Sequence, residues 1–452
     1  MFRAVAVIVF LAGCAGVARA ATRVLLHATL LRSSPAANGH LAKPPESIRL
    51  VFSEQIVPEL SQITLGQPDA RSIQLRVAKD PHDAHTLVGT VVGSLPNGHY
   101  KISWHVVSAD GHPIGGTFGF SVEAQSDSSR LPTVASPPTV TAAPLRDTAA
   151  ADSVSPRSQV TPTNNEEGVP IFAALFRGLG LGVLMAGVGV LFFGVSSGER
   201  RNLTPGKFIV GAIAIGVVLL GAHLIAWLGH LSAGKGLSGG FVGSALGTMI
   251  GRVELLRTTL AVLTLWAVAL ARRDKPALVL GAACLIVSGA IGHPAAIHPY
   301  WTIPAKMLHL LAGSIWIGGL GWLVWLSRCN EAACRIEARR VSSIALIAVI
   351  VIALSGLLQT FFFLNTPADL IASTYGRLVI AKMTGLAILI GFGAYNRYAL
   401  LPRLDTDGAR NLSRSVKMEI AVLVTIILIG GFLAYEPTPP RPTTASAAGV
   451  RE

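Results

Sequence analysis

Histidines, together with one carboxylate close to a histidine, are the residues of this chain with metal-binding chemistry. Asp110-Gly111-His112 form a tight turn that brings a carboxylate and an imidazole to one side of the backbone. Nitrogen and oxygen ligands suit a borderline divalent ion, and Cu(II) stands highest in the general order of affinity. Because short motifs also match by chance, a plain turn followed by a solvated histidine is the alternative interpretation.

The histidines form two groups along the chain. Seven of the twelve lie within residues 23–123: His27, His40, His82, His85, His99, His105 and His112. The other five follow in the apolar second half of the chain. Ionisable groups inside membrane segments are costly and are functional by default, so we predict a membrane path for a metal ion, lined by His223, His230, His293 and His309. His298 is instead expected to be satisfied by lipid headgroups and water.

Composition divides the chain into a soluble part and a membrane part. Its 452 residues are 51% hydrophobic and only 13% charged, too few charges to cover a soluble protein of this size. Residues 23–168 alternate polar and apolar positions, whereas residues 169–437 are mostly long apolar runs. Much of the net charge of +13 lies in short loops without interleaved aromatics, so we expect no nucleic-acid partner.

The first twenty residues have the pattern of a secretory signal peptide. Arg3 precedes an apolar run, and Ala18-Arg19-Ala20 supplies small residues for cleavage. The alternative is a lipoprotein box at residues 11–14, which would lipidate Cys14. Either way, the chain from residue 23 onward is predicted to begin outside the cytoplasm. The four cysteines do not form a disulfide framework.

Eight apolar segments are each near the ~20 residues that a helix needs to cross the hydrocarbon core. They span about 170–195, 208–230, 253–271, 276–292, 303–326, 341–364, 377–400 and 416–436. With an exported N-terminus, four of the loops are cytoplasmic, and these hold fourteen basic residues: Arg200, Arg201, Lys207, Arg272, Arg273, Lys275, Arg328, Arg335, Arg339, Arg340, Arg403, Arg410, Arg414 and Lys417. The outer loops hold only Lys235, Arg252 and Arg377. Since basic residues accumulate in cytoplasmic loops, we predict an all-α polytopic bundle of eight transmembrane helices with both termini outside.

The soluble part is predicted to be an all-β domain on a tether. Residues 23–123 contain short alternating stretches at 47–52, 73–77, 100–106 and 117–122, bounded by turn residues. An all-β Greek-key sandwich of roughly 100 residues fits this pattern. Residues 124–168 are rich in Pro, Ser, Thr and Ala and predict a disordered linker, and residues 438–452 predict a flexible outer tail.

Three stretches of the β-domain carry a family resemblance. Residues 27–36 are HATLLRSSPA, residues 95–104 are LPNGHYKISW and residues 108–120 are SADGHPIGGTFGF. They closely resemble CopC, the periplasmic copper-binding sandwich of copper-handling systems, over residues 27–123. The resemblance implies a Cu(II) site made by His27, Asp110 and His112.

The chain departs from the CopC pattern in two ways. In the family the first histidine is commonly the mature N-terminus and also chelates through its amine, whereas about six residues precede His27 after cleavage. Residues 28–123 contain no methionine, so the Met-rich Cu(I) site of some family members is not expected.

The membrane part has its own resemblance, centred on LHLLAGSIWIGGL at residues 308–320. With Gly292-His293-Pro294 before it and residues 375–397 after it, this stretch is similar to CopD, the eight-helix membrane partner of CopC. The likeness covers residues 170–436, and its most specific part is the pattern H-x-x-x-x-x-x-W-x-G-G that begins at His309. It implies copper uptake across the inner membrane and copper resistance.

These observations together predict a copper-binding inner-membrane protein, not an enzyme, that captures Cu(II) outside the cytoplasm and imports copper. Its partners would be copper ions, membrane lipid and periplasmic copper carriers, and its oligomeric state stays open. One alternative is a transmembrane redox protein in which His230 and His309 ligate b-type haem. Another is a membrane-anchored copper buffer. The chain has no nucleotide-binding loop and no C-x-x-C motif, which argues against an ATP-driven pump.

Overall fold

A computed structural model describes residues 30–53, 55–66, 72–93, 95–108, 113–123, 170–197, 205–232, 236–329, 331–403, 408–436 and 438–439. The predicted signal peptide, the linker and nearly all of the tail lie outside these ranges. So do the three predicted Cu(II) ligands, His27, Asp110 and His112. The β-domain and the helical domain are described separately below.

The described residues of the β-domain form nine strands: β1 (Leu30–Ser34), β2 (Gly39–Leu41), β3 (Ser47–Phe52), β4 (Ile56–Gly66), β5 (Ile73–Gln74), β6 (Arg76–Lys79), β7 (Thr86–Thr90), β8 (Gly98–Ser108) and β9 (Pro113–Val122). One sheet has the order β1-β3-β7-β6 and the other the order β2-β9-β8-β4-β5. Within the first sheet, β3 pairs antiparallel with both β1 and β7. Two sheets of a sandwich are therefore confirmed for this part of the chain.

The alternating side chains of the strands build the core between the sheets. Ile48, Leu50 and Phe52 of β3 are all buried. Phe52 meets Trp104 of the other sheet edge to face, with ring centroids 5.3 Å apart. A one-residue slip of either strand would turn these side chains outward, so the hydrophobic pattern fixes the register.

The stretch predicted as one strand over 73–77 is divided between the two sheets. β5 pairs with β4, whereas β6 pairs with β7. Leu75 lies between them, is buried, and donates its backbone N–H to Ile63 O at 2.8 Å. β4 was not predicted, because Pro58 and Glu59 interrupt its alternation of polar and apolar residues.

The helical domain contains eleven α-helices among its described residues: α1 (Ile171–Ser196), α2 (Gly206–Leu231), α3 (Gly239–Gly247), α4 (Met249–Ala269), α5 (Asp274–Ser288), α6 (His293–Ala296), α7 (Pro299–Cys329), α8 (Glu331–Phe363), α9 (Asp369–Ala372), α10 (Thr374–Tyr395) and α11 (Gly408–Leu433). After α10 the chain continues as one π-helical turn, Asn396–Leu400, and a 3-10 turn, Leu401–Arg403. All eight predicted segments are largely helical. The short helices α3, α6 and α9 belong to the connections.

Six of these helices are long and apolar enough to cross a membrane: α1, α2, α7, α8, α10 with its π turn, and α11. The predicted count of eight is therefore not confirmed among the described residues. α4 has 21 residues but carries Arg252, Glu254 and Arg257 in its first half. α5 has only 15 residues, which at 1.5 Å per residue is shorter than the ~30 Å hydrocarbon core.

Helix α1 lies at the centre of the bundle and packs on α2, α5, α7 and α11. It crosses α7 with the two backbones in contact, since a Cβ atom added at Gly318 would lie 2.1 Å from the carbonyl carbon of Gly189. A Cβ atom added at Gly431 of α11 would lie 2.4 Å from the carbonyl oxygen of Ala174 in α1. Small residues permit this close approach between membrane helices. Gly318, the first glycine of the W-x-G-G pattern, therefore has a packing role.

Replacing Gly318 by Ala is expected to destabilise the bundle, because the added methyl group must push α1 and α7 apart. Overpacking of this kind costs about 1–3 kcal/mol. The thermal unfolding midpoint of the purified protein measures it. Gly391→Ala in α10 is the matched control, since a Cβ atom there meets nothing within 4 Å, and alanine favours a helix over glycine by about 1 kcal/mol. Equal midpoints for the two variants would contradict the contact.

Candidate functional site

The loop that carries two of the three predicted Cu(II) ligands joins neighbouring strands of the five-stranded sheet. β8 ends at Ser108 and β9 begins at Pro113. In the sequence, Asp110 and His112 fall between these two strands and His27 precedes β1; all three are outside the described residues. The prediction that they bind Cu(II) therefore stays a prediction.

Two other histidines of the β-domain, His82 and His85, lie in a turn organised by carboxylates. Asp80 accepts the backbone N–H of His82 at 2.9 Å, and Asp83 accepts that of His85 at the same distance. The His82 N–H, with help from the Arg49 guanidinium, holds the pKa of Asp80 below its usual value. The Thr86 hydroxyl and the His85 N–H lower the pKa of Asp83 in the same way. Both carboxylates therefore already accept hydrogen bonds within the turn.

In the bundle, the histidines are gathered at one end, where α1 begins and α11 ends; we call it the histidine end. His223 of α2 is completely buried there. Its Nδ1 donates to the carbonyl oxygen of Ala173 at 3.1 Å, and its Nε2 lies 3.5 Å from Oε1 of Glu254. Both ring nitrogens of His223 thus face oxygen acceptors of the protein.

Glu254 also forms an ion pair with Arg257, three residues further along α4. Residues three apart share one face of a helix, so this spacing allows the two side chains to meet. Both side chains are only 1% exposed. Removing two charges from solvent is costly, and close contact between them offsets that cost. The pair is therefore part of the interior of the domain and not of its edge.

The loop between α5 and α6 is fixed by cations and by the C-terminal segment. The carbonyl oxygen of Ile291 accepts hydrogen bonds from Lys306 Nζ at 2.9 Å and from Arg177 at 3.3 Å. The next residue but one, His293, is buried, and its Nε2 donates to the carbonyl oxygen of Glu436 at 2.8 Å. The guanidinium of Arg177 also lies over the ring of Tyr435, 5.8 Å from its centroid.

His309 lies in α7, where its Nδ1 is 3.0 Å from the hydroxyl oxygen of Ser355 in α8. Lys306 and Lys382 are near enough to act on the imidazole electrostatically. The half-buried His230 lies in the last turn of α2. The exposed His298 packs against Phe362, with ring centroids 5.0 Å apart.

The predicted path histidines thus share one end of the bundle but do not form one chelating cluster. His223 and His293 are linked through the C-terminal segment, since Tyr435 Oη lies 3.4 Å from His223 Nδ1 and Glu436 accepts from His293. Among the described residues, no three His, Cys, Asp or Glu side chains come together as a metal-binding group.

Sequence reasoning missed four residues of the histidine end: Arg177, Lys306, Tyr435 and Glu436. Arg177 and Lys306 lie inside apolar segments, where a charge is by itself a signal of a special role. Tyr435 and Glu436 gave no such signal, because they are the last two residues of the last apolar segment and lie at its border. Only the packing of that segment beside α1 brings them to the histidines.

Comparison with known proteins finds a family match in each of the two parts of the chain. Residues 30–123 match the CopC domain and residues 336–433 match the family Copper resistance protein D. The Copper transport protein CutJ of Bacillus subtilis is 25% identical over 438 residues, which cover 92% of this chain and 75% of CutJ. Protein YobA of Escherichia coli K12 is 37% identical over 101 residues, 22% of this chain and 82% of YobA. The crystal structure of PcoC, a methionine-rich copper resistance protein from Escherichia coli, is 32% identical over 22% of this chain and all of PcoC, with a TM-score of 0.20.

The two matches and the six apolar helices define a multi-pass membrane protein of the copper resistance and transport class. The chain belongs to the CopC family, with a CopD region in the same polypeptide. The CopD match covers α8, α10 and α11 but not His309, so the likeness predicted over residues 170–436 rests, for its first part, on the alignment with CutJ.

Proposed function

We propose that the protein imports copper across the inner membrane. The β-domain captures Cu(II) outside the cytoplasm through His27, Asp110 and His112, and the histidine end of the bundle admits the copper. The import contributes to copper homeostasis and resistance. The observation that carries this proposal is the presence of both copper-family regions in one chain, which aligns along 92% of its length with a protein named for copper transport.

The positions of charges in the bundle support the proposed orientation. Arg340 and Arg397 lie at the end opposite the histidines. There Arg340 donates a hydrogen bond to the carbonyl oxygen of Ser196, and Arg397 donates one to the hydroxyl of Ser342. Basic residues favour the cytoplasmic side. With that end inside, the histidine end faces the same compartment as the exported β-domain. Copper can then pass between the β-domain and the bundle without either domain crossing the membrane. In this proposal, all eight predicted segments act as spans.

Within the proposed path, His309 is the residue we assign to copper. Histidines that bind metals commonly have one ring nitrogen anchored by the protein, and Ser355 supplies that anchor for Nδ1. We assign the ion to the other nitrogen, Nε2. Lys306 and Lys382, when protonated, weaken the binding of any cation to the imidazole. Weak binding suits conduction, in which an ion must leave as readily as it enters.

Neither the haem-binding redox protein nor the membrane-anchored copper buffer gains support from the packing of the helices. A haem held by His230 and His309 needs α2 and α7 to be neighbours, but α2 packs mainly on α1 and α4, and α7 mainly on α1 and α8. A copper buffer needs no imidazole inside the bundle, whereas His309 lies there, between α7 and α8. A visible spectrum of the purified protein tests the haem alternative directly, because bound haem would give a Soret band.

Replacing Asp110 and His112 together by Ala is expected to slow copper uptake at limiting external copper and to leave it nearly unchanged at high copper. The double change removes two ligands of the capture site. Loss of residues that only support a metal ligand lowers affinity by roughly 10–100-fold, and loss of the ligands themselves should cost at least as much. Mass-traced copper uptake into cells that express each variant measures the effect.

The control for this experiment is His82→Ala, which removes an exposed histidine of the same domain. Its uptake should equal that of the wild type at every copper concentration. If the double variant also equals the wild type at limiting copper, the β-domain does not capture copper for the bundle and the proposal is wrong in that step.

A further inference from the structure

The end of the bundle opposite the histidines contains a break in its helical geometry. α10 ends at Tyr395, and one π-helical turn follows at Asn396–Leu400, closed by a bond from the Leu401 N–H to the Asn396 carbonyl oxygen. A 3-10 turn follows directly. Single π turns inside helices are rare and occur frequently at functional sites. This one begins at a buried polar residue, Asn396, which is 8% exposed.

Two buried polar side chains meet beside the π turn, and a third lies on the same helix face as one of them. The amide of Asn396 donates its N–H to Oε1 of Glu419 in α11. Ser415 lies one helical turn before Glu419, and residues four apart share a helix face. Ser415 and Glu419 are 0% and 1% exposed, so that shared face is the buried one.

Two atoms of this group lack a partner. Asn396 Oδ1 and Ser415 Oγ are buried and have no hydrogen-bond partner among the described residues. Most buried polar atoms are hydrogen-bonded, because leaving one without a partner destabilises the fold. The Asn396 amide cannot solve this by rotating, since its oxygen would then face the Glu419 carboxylate. The cost is explained if a ligand that accepts electron pairs from oxygen binds here.

We propose that Glu419, Asn396 and Ser415 form a binding site for Na⁺. The three side chains offer a carboxylate, an amide carbonyl and a hydroxyl, which are all hard oxygen ligands. The set contains neither an imidazole nor a thiolate, which copper would favour. The set holds a single carboxylate, whereas Ca²⁺ sites commonly combine several. In secondary transporters, irregular helix segments supply the backbone carbonyls that complete sodium sites, and the π turn provides such a segment here.

The site would supply what the copper path lacks, a second ion whose gradient can drive transport. It lies in the stretch that matches the CopD family, at the other end of the bundle from His309. Only this coupling step rests on the proposed copper import. Sodium binding by itself does not, and it can be measured with no copper present.

The test is the thermal unfolding midpoint of the purified full chain in lipid nanodiscs, titrated with NaCl. Choline chloride keeps the ionic strength constant, and KCl replaces NaCl in a parallel series. The midpoint of the wild type should rise with Na⁺ and saturate, because a ligand stabilises only the folded state that binds it. Ser415→Ala should raise the half-saturating Na⁺ concentration by about tenfold, as expected for the loss of one hydrogen-bond-sized contact.

Ser415→Ala has a second readout. Without Na⁺, its midpoint should equal or exceed that of the wild type, since the change removes a hydroxyl that has no hydrogen-bond partner among the described residues. The matched control is Ser343→Ala in α8, where the hydroxyl is exposed and bonds Arg339 O. Its Na⁺ titration should follow the wild type.

Three outcomes would overturn the proposal. They are an equal rise of the midpoint in choline, an equal rise in K⁺, or an unchanged half-saturation in Ser415→Ala. Glu419→Gln should abolish the response to Na⁺, and if that variant does not fold, the serine variant still decides the matter. If copper uptake fails while sodium binding holds, the copper function is wrong and the sodium site stands.

Discussion

Replacing Arg257 by Met is expected to destabilise the protein more than any other single change considered for the bundle. The change leaves the Glu254 carboxylate buried at 1% exposure, 3.5 Å from the His223 ring but without its ion-pair partner. Breaking a buried ion pair by removing one partner costs about 3–5 kcal/mol. The unfolding midpoint of the purified protein should fall sharply, together with the yield of folded protein.

The companion double variant, Glu254→Gln with Arg257→Met, should recover much of this loss, because neither charge is then left alone. The matched control is the pair Glu337–Arg340, which has the same three-residue spacing but an Arg340 side chain that is 34% exposed. Glu337 is itself only 6% exposed, but the partly solvated Arg340 attracts it less strongly, so breaking that pair should cost less than breaking Glu254–Arg257. If Arg257→Met and Arg340→Met destabilise equally, burial is not what gives the Glu254–Arg257 pair its importance.

Replacing His309 by Ala is expected to reduce copper accumulation to the level of cells that lack the protein, at low and at high external copper. This differs from the change at Asp110 and His112, which should be rescued by high copper. The reason is position, because His309 lies between α7 and α8 inside the bundle, where no second route around it is expected. Mass-traced copper accumulation measures the effect.

Two comparisons make the His309 experiment decisive. His298→Ala removes an exposed histidine near the same end of the bundle, and its accumulation should equal that of the wild type. Size-exclusion profiles of both variants establish that each one folds. Wild-type accumulation in a folded His309→Ala protein would favour the copper buffer over the transporter.

The glycines around His309 illustrate how a motif can combine roles. The pattern that begins at His309 includes Gly318, which permits the crossing of α7 with α1, and Trp316, which is buried in the core. In our proposal, the copper role of the motif therefore belongs to His309, while Gly318 and Trp316 hold its helix in place. A variant that separates α1 from α7 should lose copper uptake through misplacement of His309.

The β-domain was predicted well where its strands alternate and less well elsewhere. The strand over Ser47–Phe52 was predicted at its observed bounds, because polar and apolar side chains alternate along it. The stretch at 73–77 alternates too, yet Leu75 marks the point where the chain passes from one sheet to the other. Local periodicity cannot reveal which sheet a strand will join, since that depends on distant pairing partners.

The sequence by itself determined the two-part organisation, the copper family and the histidines that could bind a metal, because residue types and hydrophobic periods are local properties. The Glu254–Arg257 pair is local as well, since its two residues lie three apart within one helix. Only the tertiary structure decided which side chains meet across helices. It joined Tyr435 to His223 and Ser355 to His309, and it placed Asn396 beside Glu419. These contacts arise from the packing of helices far apart in the chain, and no local pattern encodes that packing.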